Sequence, residues 1–221
     1  MARAWETRTP WTPDNKIELT RLGRLQGEAA GEQVRKLVGN SSVRFFYSPY
    51  IRTRQTLQCI LRAFEGQQIE ICAEPRLREQ DFGNFQNVEA MEKVYSERQQ
   101  FGRFYYRFPN GEAGTDVFDR VSDFWSSLLR SMDKSPVENL VLVSHGLLMR
   151  IFCMVYFHWT VEDGSSRSGT LPTARFGRWR RMSFWAKAAT TWPGAGAPAP
   201  RAVASARSAL GQGRMSRCGA T

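Results

Sequence analysis

The chain has 221 residues, 42% of them hydrophobic and 24% charged, which fits a globular fold and excludes a fibrous or wholly disordered one. No apolar run approaches the ~18–20 residues that span a bilayer, and Met1–Asn15 carries no apolar core of a secretory leader, so a cytoplasmic protein without membrane contact is expected. The net charge of +10 invites a nucleic-acid reading, but nine Arg, one Lys and no acid fall within 164–221, which leaves residues 1–163 formally neutral.

Residues 1–16 show no period, carry Pro10 and Pro13, and read as coil. Thr20 is a candidate N-cap for a helix in which Leu22, Leu25, Ala29, Val34, Leu37 and Val38 recur at helical spacing, and Gly39-Asn40 ends it. Val43–Tyr47 is a short β-rich segment closed by Ser48-Pro49. Thr53–Phe64 is helical, with Leu57, Ile60, Leu61 and Phe64 on one face, and Ile69–Cys72 is a second strand stopped near Pro75. A polar loop follows over Leu77–Phe85. Val88–Phe101 and Val117–Met132 read as helices around the aromatic loop Phe104–Pro109. Leu140–Val143 has a buried-strand pattern, and Leu147–Trp159 reads as a helix.

After Asp163 the chain turns to Ala, Gly, Pro and Arg, with little to bury, so 164–221 is expected to be a disordered tail. The four cysteines, Cys59, Cys72, Cys153 and Cys218, form no CxxC pair and are expected as free thiols in a reducing compartment. Strands alternating with helices predict a three-layer α/β fold, a largely parallel sheet with helices on both faces. In such sheets ligands lie beyond the C-terminal strand ends, and three polar clusters fall there: Ser48–Arg54, Glu79–Asp81 and Ser144–Gly146.

Each cluster has a chemical and a structural reading. Arg52, just past a strand and at a helix start, offers a planar donor fork suited to phosphate, or is a solvated helix arginine. Glu79, in an apolar and glycine-flanked loop, is a candidate general acid, or a carboxylate that caps a turn. His145, between a buried strand and a helix N-terminus, can donate to an oxyanion while Gly146 permits close backbone approach; it is otherwise a structural histidine.

Taken together and in this order, the helix signal Leu19-Thr-Arg-Leu-Gly-Arg-Leu-Gln26, Ser-Pro-x-x-Arg52, Leu-Arg-Glu79-Gln-Asp-Phe-Gly83 and Val-Ser-His145-Gly146 resemble the histidine phosphatase, or phosphoglycerate mutase-like, superfamily from about Ile17 to Asp163. Phe101–Glu112 with Asp116-Val-Phe-Asp-Arg120 is more particularly similar to plant and algal phosphoglycerate mutase-like proteins. The resemblance implies phosphoryl transfer through a histidine, with a phosphorylated small molecule or phosphoester as partner and neither metal nor cofactor. It assigns Arg52 to clamping phosphate, Glu79 to protonating the leaving group, and His145 with Gly146 to the phosphoryl oxygens. The loop Asn84–Pro109 would lie over the pocket.

The family's nucleophile sits in an Arg-His-Gly motif ending a first, central strand. This sequence has two histidines, His145 and His158; His158 falls at the end of the last helix, and neither occupies that place. The expectation is therefore a partial domain over 17–163 without the first strand, from a truncated or divergent gene product, with little or no turnover as a phosphatase or mutase. A non-catalytic phospholigand-binding protein and an anionic-surface binder acting through the basic tail stand as alternatives; the tail lacks the aromatic and basic pattern of an RNA-binding module, which argues against nucleic acid.

Overall fold

The computed structural model describes residues 12–83, 88–134 and 137–162; the expected coil at 1–11 and the expected tail at 164–221 lie outside the described residues. Three strands form a parallel sheet in the order β2-β1-β3: β1 Val43–Tyr47, β2 Glu70–Ala73 and β3 Asn139–Val143. In register, Phe45 of β1 lies opposite Ile71 on one side and Val141 on the other. Among the described residues β3 pairs on one side only.

The period-two alternation of a strand splits β1 between two cores. Val43 and Phe45 point to one face, where Val141 and Val143 join them under α1 (Arg21–Val38) and α2 (Ile51–Leu61). Phe46 points to the other, with Cys72 and Leu142, under α4 (Gly114–Lys134) and α5 (Gly146–Phe157). Phe46 meets Phe124 of α4 edge to face, with ring centroids 5.6 Å apart. Helices thus cover both faces, as the α/β pattern predicts. The third packed group belongs to α3 (Val88–Phe101) and the aromatic loop, where Phe108 and Tyr106 are buried with Val94 against Phe82.

Helix α1 begins and ends where the sequence says, with the Thr20 hydroxyl accepting from Gly23 N at 3.0 Å and Gly39 at φ +57°. Its buried face is a correction. Leu22 and Leu25 are 62% and 56% exposed, and Leu37 is also exposed, while Gly23, Gly27, Ala30, Gly31, Val34 and Val38 are buried. The reason is close approach to α2. A Cβ on Gly27 would stand 2.9 Å from Cys59 Cβ, and one on Gly31 would stand 2.8 Å from Ile60 O. Helix α2 starts at Ile51 rather than Thr53 and its last turn, Arg62–Phe64, is 3₁₀. Helix α4 starts at Gly114 rather than Val117, because Asp116 reaches back to accept from Ala113 N at 2.8 Å, half of a capping box. The expected coil also holds a 3₁₀ turn, Asp14–Lys16. Cys59, Cys72 and Cys153 are free and buried; Cys218 lies outside the described residues.

Candidate anion-binding site

The C-terminal ends of the three strands bring the three polar clusters together. After β1, Ser48 continues the ladder by donating its N–H to Val143 O at 3.0 Å, and Pro49 then ends it, since it has no N–H to donate. Tyr50 is the N-cap of α2, which sets Arg52 in its first turn, and Thr53 Oγ1 fastens the turn by donating to Ser48 O at 2.8 Å. After β3, Ser144 Oγ donates to Leu77 O at 2.7 Å, tying this strand end to the loop that carries Glu79. His145 is the N-cap of α5, and Gly146 begins that helix.

Arg52 is 6% exposed, and each of its guanidinium nitrogens is engaged. Nε donates to His145 Nδ1 at 3.3 Å. Nη1 donates to Asp14 O at 2.7 Å and to Asp14 Oδ1 at 3.2 Å, and Nη2 donates to Asp14 Oδ2 at 3.0 Å. The Tyr50 ring stands beside both, 4.9 Å from Arg52 Cζ and 4.9 Å from the His145 ring. Asp14 is the residue that sequence reasoning missed, because it lies in a stretch with no period, 38 positions from its partner. The signal available was an acid beside Pro13.

His145 is 2% exposed, and both ring nitrogens are committed. Since Nδ1 accepts from Arg52, the proton sits on Nε2, which donates to Ser48 Oγ at 2.8 Å. Burial, together with the charges of Arg52 and Arg120, holds its pKa well below the usual 6.5, so the ring is neutral at neutral pH. With the proton on Nε2, His145 cannot take one from Ser48, which is itself fully buried; this pair is no Ser-His nucleophile.

Glu79 Oε1 accepts from Gln80 N at 3.1 Å and from Leu148 N at 3.2 Å, so the carboxylate sits at the N-terminus of α5 as a cap. Burial pushes its pKa above the usual 4.5, against the lowering pull of the Gln80 amide and of Arg52. The loop is held from behind by Arg120, whose Nη2 donates to Glu79 O at 3.2 Å and to Glu112 Oε2 at 3.0 Å, and whose Nε donates to Glu112 Oε1 at 3.1 Å. A Cβ at Gly146 would meet nothing within 4 Å, so open space lies beside the start of α5. His158 is exposed in the left-handed conformation at the end of α5. Of the loop expected over the pocket, 84–87 lies outside the described residues; Phe108 and Tyr106 are core, and Phe101 and Tyr105 are exposed. Among the described residues no cluster of three or more His, Cys, Asp or Glu could hold a metal ion.

Residues 2–187 match the model of the histidine phosphatase superfamily, branch 1. The chain is 47% identical over 166 residues to the phosphoglycerate mutase-like protein AT74 of Arabidopsis thaliana, covering 69% of this chain and 52% of that protein. It is 45% identical over 169 residues to the related AT74H, covering 69% and 60%. It thus spans just over half the length of these relatives. A yeast broad-range acid phosphatase, DET1 of Saccharomyces cerevisiae, is 44% identical over 103 residues, covering 45% of this chain and 31% of that one. Among solved structures, a mycobacterial glucosyl-3-phosphoglycerate phosphatase with inorganic phosphate superposes with a TM-score of 0.57 at 21% identity, over 71% of this chain and 77% of that one, a likeness of fold. The order of the strand-end motifs, the parallel sheet beneath them and the span of the family match agree, and the chain belongs to the histidine phosphatase superfamily, branch 1.

Proposed function

We propose that this chain recognises a phosphomonoester at the Arg52–His145 site but has little or no phosphoryl-transfer activity. One observation carries the reading: the sequence contains two histidines, one buried with both nitrogens committed and one exposed at a helix end. Phosphoryl transfer through a histidine needs an exposed imidazole facing the ester, and removing such a nucleophile lowers the rate by several orders of magnitude. In this proposal Arg52 clamps the phosphoryl group, His145 and the start of α5 at Gly146 face its oxygens, and Glu79, with its raised pKa, is the proton donor left without a reaction to serve. The ligand class is supported by relatives named as an acid phosphatase and as phosphoglycerate mutase-like proteins. Steady-state hydrolysis of p-nitrophenyl phosphate and of phosphoglycerates by the purified chain tests it. Background rates are expected; turnover that His145→Ala abolishes would overturn the proposal.

The binding half of this proposal is supported by a buried arginine in the first turn of α2 with a neutral histidine beside it. Thermal stabilisation by phosphate with no turnover is its expected result. Anionic-surface binding through 164–221 would instead fall steeply with salt and vanish on deleting those residues. Cytoplasmic residence belongs to the same proposal, supported by three free buried thiols. Among the described residues no helix is long and apolar enough to cross a membrane.

A further inference from the structure

The guanidinium expected to hold phosphate already holds a carboxylate. Asp14 meets Arg52 through both carboxylate oxygens and its own backbone oxygen, a fork-to-fork pairing of the kind an arginine makes with a phosphoryl group. The pair is lopsided: the Arg52 side chain is 7% exposed and that of Asp14 is 46% exposed. Asp14 therefore approaches from the solvent side, the side from which a ligand must enter. Its segment is pinned further along, where Leu19 is buried and its N–H donates to Gln55 Oε1 at 2.7 Å, and where Thr20 caps α1. Between that anchor and Pro13 lies the 3₁₀ turn that presents Asp14.

We infer that Asp14 is an internal occupant of the anion site, a tethered carboxylate that an incoming phosphate must displace from Arg52. This rests on the reading of Arg52 and His145 as the phosphate site. Three observations support competition rather than cooperation. Both terminal nitrogens of Arg52 already donate to Asp14, and the third donates to His145, so no edge of the guanidinium is free for a second anion. The carboxylate neutralises the arginine, and neutral His145 adds no positive charge, so a phosphate arriving with Asp14 in place meets like charge at hydrogen-bond range. The tether is short and attached to a fixed anchor, so the carboxylate competes at an effective concentration of millimolar or above. Apparent phosphate affinity is then lowered by the fraction of molecules in which Asp14 is in place.

The experiment is titration of the full chain with inorganic phosphate by calorimetry, for the wild type, Asp14→Asn, Asp14→Ala and Arg52→Lys. Both Asp14 variants should bind phosphate at least about tenfold more tightly than the wild type, and Arg52→Lys should bind it more weakly. Equal or weaker binding by the Asp14 variants, with Arg52→Lys still impaired, would overturn internal occupancy and leave the phosphate site standing. Absence of binding by every protein, or binding indifferent to Arg52→Lys, would remove the phosphate site and the inference with it. A circular dichroism melt of each variant verifies that it is folded, since replacing Asp14 leaves the buried Arg52 guanidinium without its carboxylate.

Discussion

Arg120→Met removes the clamp behind Glu79 while keeping an apolar stem in α4. The lost bonds are those from Nε and Nη2 to the two Glu112 carboxylate oxygens, at 3.1 and 3.0 Å, and those to the backbone oxygens of Arg76 and Glu79. Both side chains of the ion pair are nearly buried, 10% and 13% exposed. Removing one member of such a pair costs roughly 3–5 kcal/mol, because the other charge stays buried. Glu112 keeps Arg78 and the Asp81 amide, which puts the loss at the lower end, about 3 kcal/mol. At roughly 2–4 °C per kcal/mol for a chain of this size, Tm should fall by about 6–12 °C. The comparator is Arg24→Met, which breaks a pair 43% and 67% exposed and should cost at most about 0.5 kcal/mol. Paired urea and thermal melts measure both. If Arg120→Met shifts Tm no more than Arg24→Met does, the clamp does not hold this loop.

Gly31→Ala places a methyl 2.8 Å from Ile60 O, and the overpacking, about 1–3 kcal/mol, outweighs the roughly 1 kcal/mol that alanine adds to a helix; a lowered urea midpoint is expected, and a raised one would contradict the close α1–α2 crossing. His145, with its folded pKa depressed, contributes stability that is fully present above its unfolded value near 6.5 and is lost as pH falls through the lower folded value, because the unfolded ring takes up the proton first. Denaturation measured at a series of pH values below 6.5 should show that decline, and His145→Gln should flatten it. Burial pushes the Cys153 thiol up to about 12, so it should resist a thiol reagent in the native chain and react after denaturation; rapid native labelling at Cys153 would refute its full burial in α5.

How far the sequence could be read depended on the range of each interaction. Helix α1 was bounded by Thr20 and Gly39 because caps act within a few residues. The β1 alternation was legible because its period is local. Its neighbour's leucines misled, since the pattern weighs Leu22 and Leu25 heavily and gives no weight to Gly27 and Gly31, whose missing side chains are what α2 packs against. Arg52, Glu79 and His145 were picked out from strand-end placement, yet their partners were not. Asp14 lies 38 positions from Arg52, Glu79 caps a helix 69 positions away, and Arg120 reaches the Glu79 backbone across 41. Only the folded sheet brings those residues together. The Asp116 reach to Ala113 was the exception, a three-residue signal present in the sequence and overlooked in favour of the apolar residues after it.

The most direct measurement is a search for covalent phosphohistidine. The purified chain is incubated with a phosphate ester, quenched in alkali and analysed by intact mass and by peptide mapping over His145 and His158. Unmodified protein is expected at both positions. A phosphorylated imidazole at either one, formed at the rate of ester consumption, would contradict that expectation.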